Sequence, residues 1–483
     1  MVPTVDPCPL DVELRLPAGG RLVFVSDLHL TEGGVTNDFQ AATELCELVE
    51  SLYRHPGEVV LVLGGDILDL LQVQAPREEQ AVRALSGQDA ATLGRILCRL
   101  AGRPGATIVY LVGNHDSALA WDPVGRELVM RQLGISVVAL YAHVRVAGED
   151  GTEVRVVAEH GDQLDRYNRR TDPFDPLDVP PGDHIVTEVV NRLEAAAERY
   201  PELGLDQVDN VRPALMIPWW IVSNFFYRYM GRAVRNFAVP IVLLWILGHL
   251  LVGLLVASEF ERVAYLGNRA VRWTASVVLT DLLLLFLVSP VLGRLFRRAA
   301  AAYGVPSPHE AEEETANRRA GVPALLDRRD PEASVLVTGH THEPGLVRFP
   351  DGRVAVDAGC WVRGLVPVPA RCGLPPVFVS AYPVNWVDVQ AAPGGVVVAL
   401  WSRRLAVERR RLEALEWLAA RRPLPRAAAE PPRVVEETVV APRPAPSRTA
   451  HPAPAPGPAA DAGPDPSRTA DRAPDPSRTR AGS

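Results

Sequence analysis

The sequence predicts an α/β fold whose strands end, one after another, in side chains suited to divalent cations. Two observations carry the prediction. Five apolar, β-branched runs, at 21–25, 58–63, 107–112, 154–158 and 334–338, read as buried strands. Each stops at a short polar motif: Ser26-Asp27-Leu28-His29, Gly64-Gly65-Asp66, Gly113-Asn114-His115-Asp116, Glu159-His160-Gly161-Asp162 and Gly339-His340-Thr341-His342. Stretches 38–53, 77–100 and 127–133 read as helices between the strands, and 354–358 and 395–400 as closing strands. Loops at the carboxyl ends of neighbouring strands converge, so the five motifs should share one site.

The residue types name the chemistry. Two cations about 3.5–4 Å apart need a carboxylate between them and oxygen or imidazole donors around them. Asp27, His29, Asp66, Asn114, His160, His340 and His342 supply that set. A lone Asp-x-His after a strand is usually a turn or a cap. Five motifs in order, each after a strand, are hard to obtain by chance. A histidine-rich donor set without cysteine fits two divalent ions, manganese, iron or zinc, which the donor types alone do not rank; manganese is the expectation carried forward.

These motifs resemble the calcineurin-like metallophosphoesterase superfamily over residues 20–165 and 330–400. The resemblance implies a four-layer sandwich of two mixed sheets flanked by helices, and hydrolysis of a phosphoric ester or anhydride. It implies that Asp27, His29 and His342 hold one metal, that Asn114, His160 and His340 hold the other, and that Asp66 bridges them. Hydroxide on the metal pair would attack phosphorus in line, without a phospho-enzyme. By the same resemblance His115 faces the phosphoryl group and stabilises the leaving oxygen or donates a proton to it, and Asp116 orients its imidazole and keeps it protonated. Within the superfamily the motifs are most similar to the UDP-2,3-diacylglucosamine pyrophosphatase branch. That branch carries Arg where this chain has His115, a departure toward the general phosphoesterase pattern.

An insertion interrupts the site between His160 and His340. It contains the most apolar segments of the chain, 237–257 and 275–293, each long enough to cross a hydrocarbon core of about 30 Å. With only 258–274 between them, they read as a transmembrane hairpin. Trp219, Trp220, Phe225, Phe226, Tyr227 and Tyr229 precede it, as an interfacial belt would, and arginines flank both ends. The expectation is a multi-pass cell-membrane protein with its catalytic domain on the cytoplasmic side, acting on a phosphate ester that is lipid-linked. His249 and Asp281 fall at matching depths in the hairpin and are expected to pair, with each other or across a dimer interface.

The domain reading is therefore 1–165 with 320–422 as the catalytic unit, 166–319 as the insertion, and 423–483 as a disordered tail rich in Pro and Ala. Stretch 183–200 reads as an amphipathic helix and 403–422 as a terminal one. The chain has no Lys, and its net charge of −8 argues against nucleic acid as the main substrate. Five scattered cysteines read as reduced thiols, Cys360 among them, since a metal-activated water already fills the nucleophile's role. The N-terminus shows no signal-peptide pattern.

Overall fold

The computed structural model describes residues 8–33, 39–190, 308–371, 374–407 and 428–443, together with shorter stretches of 191–307 and 408–427. Among these residues the strands are β1 (Asp11–Leu16), β2 (Arg21–Val25), β3 (Val59–Gly64), β4 (Ala106–Leu111), β5 (Val137–Ala139), β6 (Tyr141–Ala147), β7 (Glu153–Glu159), β8 (Val335–Thr338), β9 (Gly345–Arg348), β10 (Val354–Asp357), β11 (Gly364–Val368), β12 (Val377–Ala381), β13 (Pro383–Ala392), β14 (Gly395–Arg404) and β15 (Arg433–Val440). One sheet runs β15-β14-β13-β2-β3-β4-β5 and a second runs β1-β6-β7-β8-β10-β9; β11 and β12 form a small hairpin. Both large sheets are mixed. The parallel neighbours β2-β3-β4 and β7-β8 carry the five motifs at their carboxyl ends.

Side-chain alternation decides the layers. Leu22, Phe24, Val60, Val62, Val109 and Leu111 point from the seven-stranded sheet toward Val144, Val156, Val335 and Val356 of the other sheet. Val23, Val25, Leu61, Leu63, Ile108 and Tyr110 point the opposite way, into helices Ala42–Tyr53 and Gln88–Ala101. Val157 and Leu336 face Val322, Leu325 and Leu326 of helix Pro308–Arg329. The order is helix, sheet, sheet, helix. Strands covered on both faces have no polar face to show, which is why they read as unbroken apolar runs.

Several expectations move. The helix expected over 77–100 is two helices, Arg77–Ser86 and Gln88–Ala101, because Gly87 is extended and a Cβ there would press on the Thr31 carbonyl. The terminal helix expected over 403–422 is corrected: β14 runs on to Arg404, and among the described residues the helix spans Ala414–Ala419. The tail expected from 423 is corrected too. Arg433–Val440 pairs antiparallel with β14 from Val396 to Ser402, with Val440 buried, and the first compact unit reaches Arg443. A β-branched edge strand with charged outward residues is cheap to add to an open sheet edge, and the Pro-rich flanks hid it.

Stretch 183–200 begins as helix Pro181–His184 and continues as a wider-wound turn over Ile185–Val190. The expected hairpin, 237–257 and 275–293, lies outside the described residues except for Leu244 and 246–248, and so do His249 and Asp281. Among the described residues no helix is long and apolar enough to cross a membrane.

Candidate metal centre

Each ligand position is set by the way its strand ends. Asp27, His29, Asp66, His340 and His342 all have positive φ, between 49° and 72°. For residues other than glycine that conformation costs about 1–2 kcal/mol each, so five at one place mark a functional site. The strain is held by backbone bonds that carry the sheet past its strands: Asp27 N to Gly65 O at 3.1 Å, His29 N to Asp66 O at 2.9 Å, and Gly339 N to His160 O at 2.8 Å. Gly339 is required by close approach. A Cβ there would overlap Ser26 Oγ and Asp27 Oδ2.

The structure brings all seven expected ligands together in two adjoining clusters. In the first, His342 Nε2 lies 3.0 Å from Asp27 Oδ1 and 3.2 Å from His29 Nε2. In the second, His160 Nε2 lies 3.1 Å from Asn114 Oδ1 and 3.2 Å from His340 Nδ1, which is itself 3.0 Å from Asn114 Oδ1. Asp66 stands between them, its Oδ2 3.2 Å from His160 Nε2 and 3.9 Å from His29 Nε2. Its other oxygen accepts from His115 N at 2.8 Å.

These spacings, which also lie within hydrogen-bond range, fit ligands of shared cations. With metal–ligand bonds of about 2.0–2.2 Å, neighbouring donor atoms around one cation sit about 3.0–3.5 Å apart. Among the described residues, Asp27 Oδ1, buried in the first cluster, has no hydrogen-bond partner, and neither has His342 Nδ1. Among the described residues, three groups of His and acidic residues converge closely enough for an ion: Asp27–His29–His342, Asp66–His160–His340, and His29–Asp69–His115. The first two fit a dinuclear centre that shares Asp66.

Electrostatics follows from this crowding. Burial opposes charge on Asp27 and Asp66, yet the surrounding imidazoles hold both carboxyls below the usual range. Burial likewise opposes a proton on His29, but the neighbouring Asp27 and Asp69 carboxylates raise it to about 10. His160 is raised as well, by Asp66 and Asp27. His342 goes the other way: burial and the nearby Arg212 charge push it down to about 3.

His115 and Asp116 part company. The expectation that Asp116 orients His115 is corrected, because Asp116 is wholly buried and accepts from Tyr110 Oη at 2.6 Å, Gly113 N at 2.6 Å and Ile67 N at 3.0 Å. It shapes the loop from behind. Burial and the Asp66 charge raise its carboxyl to about 7. The residue beside His115 is Asp69, whose Oδ1 lies 2.9 Å from His115 Nδ1 without hydrogen-bond alignment, while its Oδ2 is 2.9 Å from His29 Nδ1. Despite burial, Asp69 and Asp66 raise the His115 pKa. Asp69 was visible in the sequence as the second carboxylate of Gly65-Asp66-Ile67-Leu68-Asp69. A second missed residue, Asp165, is buried against His340, its Oδ2 3.0 Å from Nε2. No local pattern distinguished it from Asp162.

Residues 20–250 match the family model for calcineurin-like phosphoesterases. That span contains Asp27, His29, Asp66, Asn114, His115 and His160 and ends before His340 and His342. No curated protein matches the chain. Among solved structures, a dimetal phosphatase from Danio rerio is similar at 12% identity, covering 82% of this chain and 99% of that chain with a TM-score of 0.31.

Proposed function

We propose that this chain is a metal-dependent phosphoester hydrolase of the calcineurin-like metallophosphoesterase superfamily, whose family model its residues 20–250 match, and that it cleaves a phosphodiester or pyrophosphate bond in a lipid-linked substrate at the cytoplasmic face of the cell membrane. The observation that carries the hydrolytic reading is the pair of histidine–carboxylate clusters sharing Asp66. Two divalent ions there, manganese first, would supply Lewis acidity toward the phosphoryl oxygens and an activated water. The chain's own part follows from the side chains. Asp66, with one oxygen fixed by His115 N, keeps the other toward both clusters. Asp69 keeps the His115 ring in place and favours its protonated form, as a group that gives a proton to a leaving oxygen requires.

The membrane reading is supported by sequence and by exposure. Two apolar segments interrupt the chain between His160 and His340, so whatever they bind is held near the site. Tyr229, Leu244 and Leu247 are among the large apolar side chains left exposed. The motif likeness to the UDP-2,3-diacylglucosamine pyrophosphatase branch points to a glycolipid pyrophosphate, whereas His115 points to broader phosphoesterase chemistry.

Two measurements test the proposal. The full chain should float with liposomes, and with Mn²⁺ it should release phosphate or phosphomonoester faster from lipid pyrophosphates or lipid phosphodiesters in vesicles than from water-soluble esters. Equal turnover of soluble esters, with no liposome binding, would favour a phosphoesterase for soluble substrates and end the lipid reading.

A further inference from the structure

We propose that Asp165 is the positioning residue of the second cation cluster, and that through Arg318 it makes that cluster depend on the insertion. The inference rests on the two-cation reading above. An imidazole that offers one nitrogen to a metal needs a partner on the other nitrogen to fix its tautomer and ring orientation. His29 Nδ1 has Asp69 Oδ2 at 2.9 Å, and His160 Nδ1 has the Gly64 carbonyl at 2.9 Å. Both braces belong to the 64–69 loop at the end of β3.

His340 is braced from elsewhere. Its Nδ1 faces Asn114 and His160, whereas its Nε2 lies 3.0 Å from Asp165 Oδ2. Asp165 follows the short turn Asp162–Leu164, where the chain leaves the catalytic unit for the insertion. Its Oδ1 accepts from Tyr167 N at 2.9 Å, and its Oδ2 accepts from Asn168 Nδ2 at 2.9 Å and Arg318 Nη2 at 2.8 Å. Arg318 stands on helix Pro308–Arg329, where the insertion returns. One buried carboxylate thus joins a metal-facing imidazole to both ends of the insertion.

A consequence follows for how the two cations bind. Asp27 and His29 are braced from the catalytic loops, so loosening Asp165 leaves those braces in place, although the insertion also reaches the first cluster through the charge of Arg212 near His342. A shift of helix Pro308–Arg329 would move the guanidinium, loosen Asp165 and free the His340 ring. The second cation would then be the one lost.

Titration of the full-length, metal-free chain with Mn²⁺, followed by calorimetry and electron paramagnetic resonance, tests this without reference to activity. The unaltered protein should take up two Mn²⁺ and show a spin-coupled signal. Asp165→Ala should leave the first binding step unchanged, weaken the second by about 10–100-fold, the usual cost of removing a ligand's outer partner, and yield an uncoupled signal at one equivalent. Arg318→Ala should weaken the same step, by a smaller factor. If Asp165→Ala fails to fold, Asp165→Asn and Arg318→Ala decide. Unchanged second-step affinity in the folded variants, or equal weakening of both steps, overturns the inference. Uptake of fewer than two Mn²⁺ by the unaltered protein would instead defeat the two-cation reading itself.

Discussion

The two large sheets contribute to one site in opposite ways. The seven-stranded sheet brings Asp27, His29, Asp66, Asn114 and His115, with Asp69 and Asp116 behind them, from a single stretch that ends at residue 116. The six-stranded sheet brings His160, His340 and His342 from strands that pair in parallel, Val156 opposite Val335, across the whole insertion. The difference teaches how much an enzyme can interrupt itself. Lengthening a connection from about 10 to about 175 residues adds only about 2–3 kcal/mol of closure entropy. Burying Val156, Val335 and Val337 offsets it, at about 1.5 kcal/mol or more per side chain.

The residue shared by both sheets' clusters gives the largest expected effect. Asp66→Ala should abolish cation-dependent phosphate release and reduce bound metal, read by elemental analysis of the purified chain. If that variant keeps two metals and its activity, the clusters are not a shared centre. His115→Ala should cost about 10²–10⁴-fold in kcat, the range for a positioned proton donor, while leaving both cations bound. Asp69→Asn should cost less, about 10–100-fold, and its loss should show in both His115-dependent kcat and His29-dependent metal affinity.

Asp116 sharpens the contrast between a residue in the chemistry and one behind it. Asp116→Asn should lower stability by about 1–3 kcal/mol in urea unfolding, because one of its buried donors loses its acceptor. An effect on kcat with unchanged stability would return Asp116 to the catalytic role it was expected to have.

Cation binding should also depend on pH, with a definite sign. In the metal-free protein the raised pKa of His29, about 10, means that a cation must displace a proton. Affinity should therefore fall as pH falls, by about tenfold per pH unit for each proton released. His342, held near 3, contributes no such proton. Calorimetry in two buffers of different ionisation enthalpy reads the proton count, and a count of zero removes the argument. The smallest effect is expected at the end of the chain. Ending it after Arg443 should change stability by no more than about 0.5 kcal/mol, whereas ending it at residue 422 removes β15 and should lower the melting temperature measurably.

Much of this was legible before any coordinates. β2, β3, β4, β7 and β8 were readable because strands buried on both faces must be apolar throughout, and the seven candidate ligands because their residue types follow those strands directly. What escaped shared a cause. β15 sits at an edge, where paired Val and Glu residues between prolines look like tail. Asp69 and Asp165 act on the outer nitrogens of ligand histidines, and nothing in their own neighbourhoods says which ring they will meet. Asp116 looked like a partner for His115 because adjacency in sequence was mistaken for contact in space.

The sequence by itself determined which side chains could bind cations and that they would lie at strand ends, since donor chemistry and hydrophobic periodicity are properties of short segments. Only the tertiary structure decided that Asp69 rather than Asp116 stands beside His115, that five residues of the site are held at positive φ, and that Asp165 ties His340 to the insertion. Those are contacts between segments distant in the chain, and their geometry exists only once the two sheets have packed.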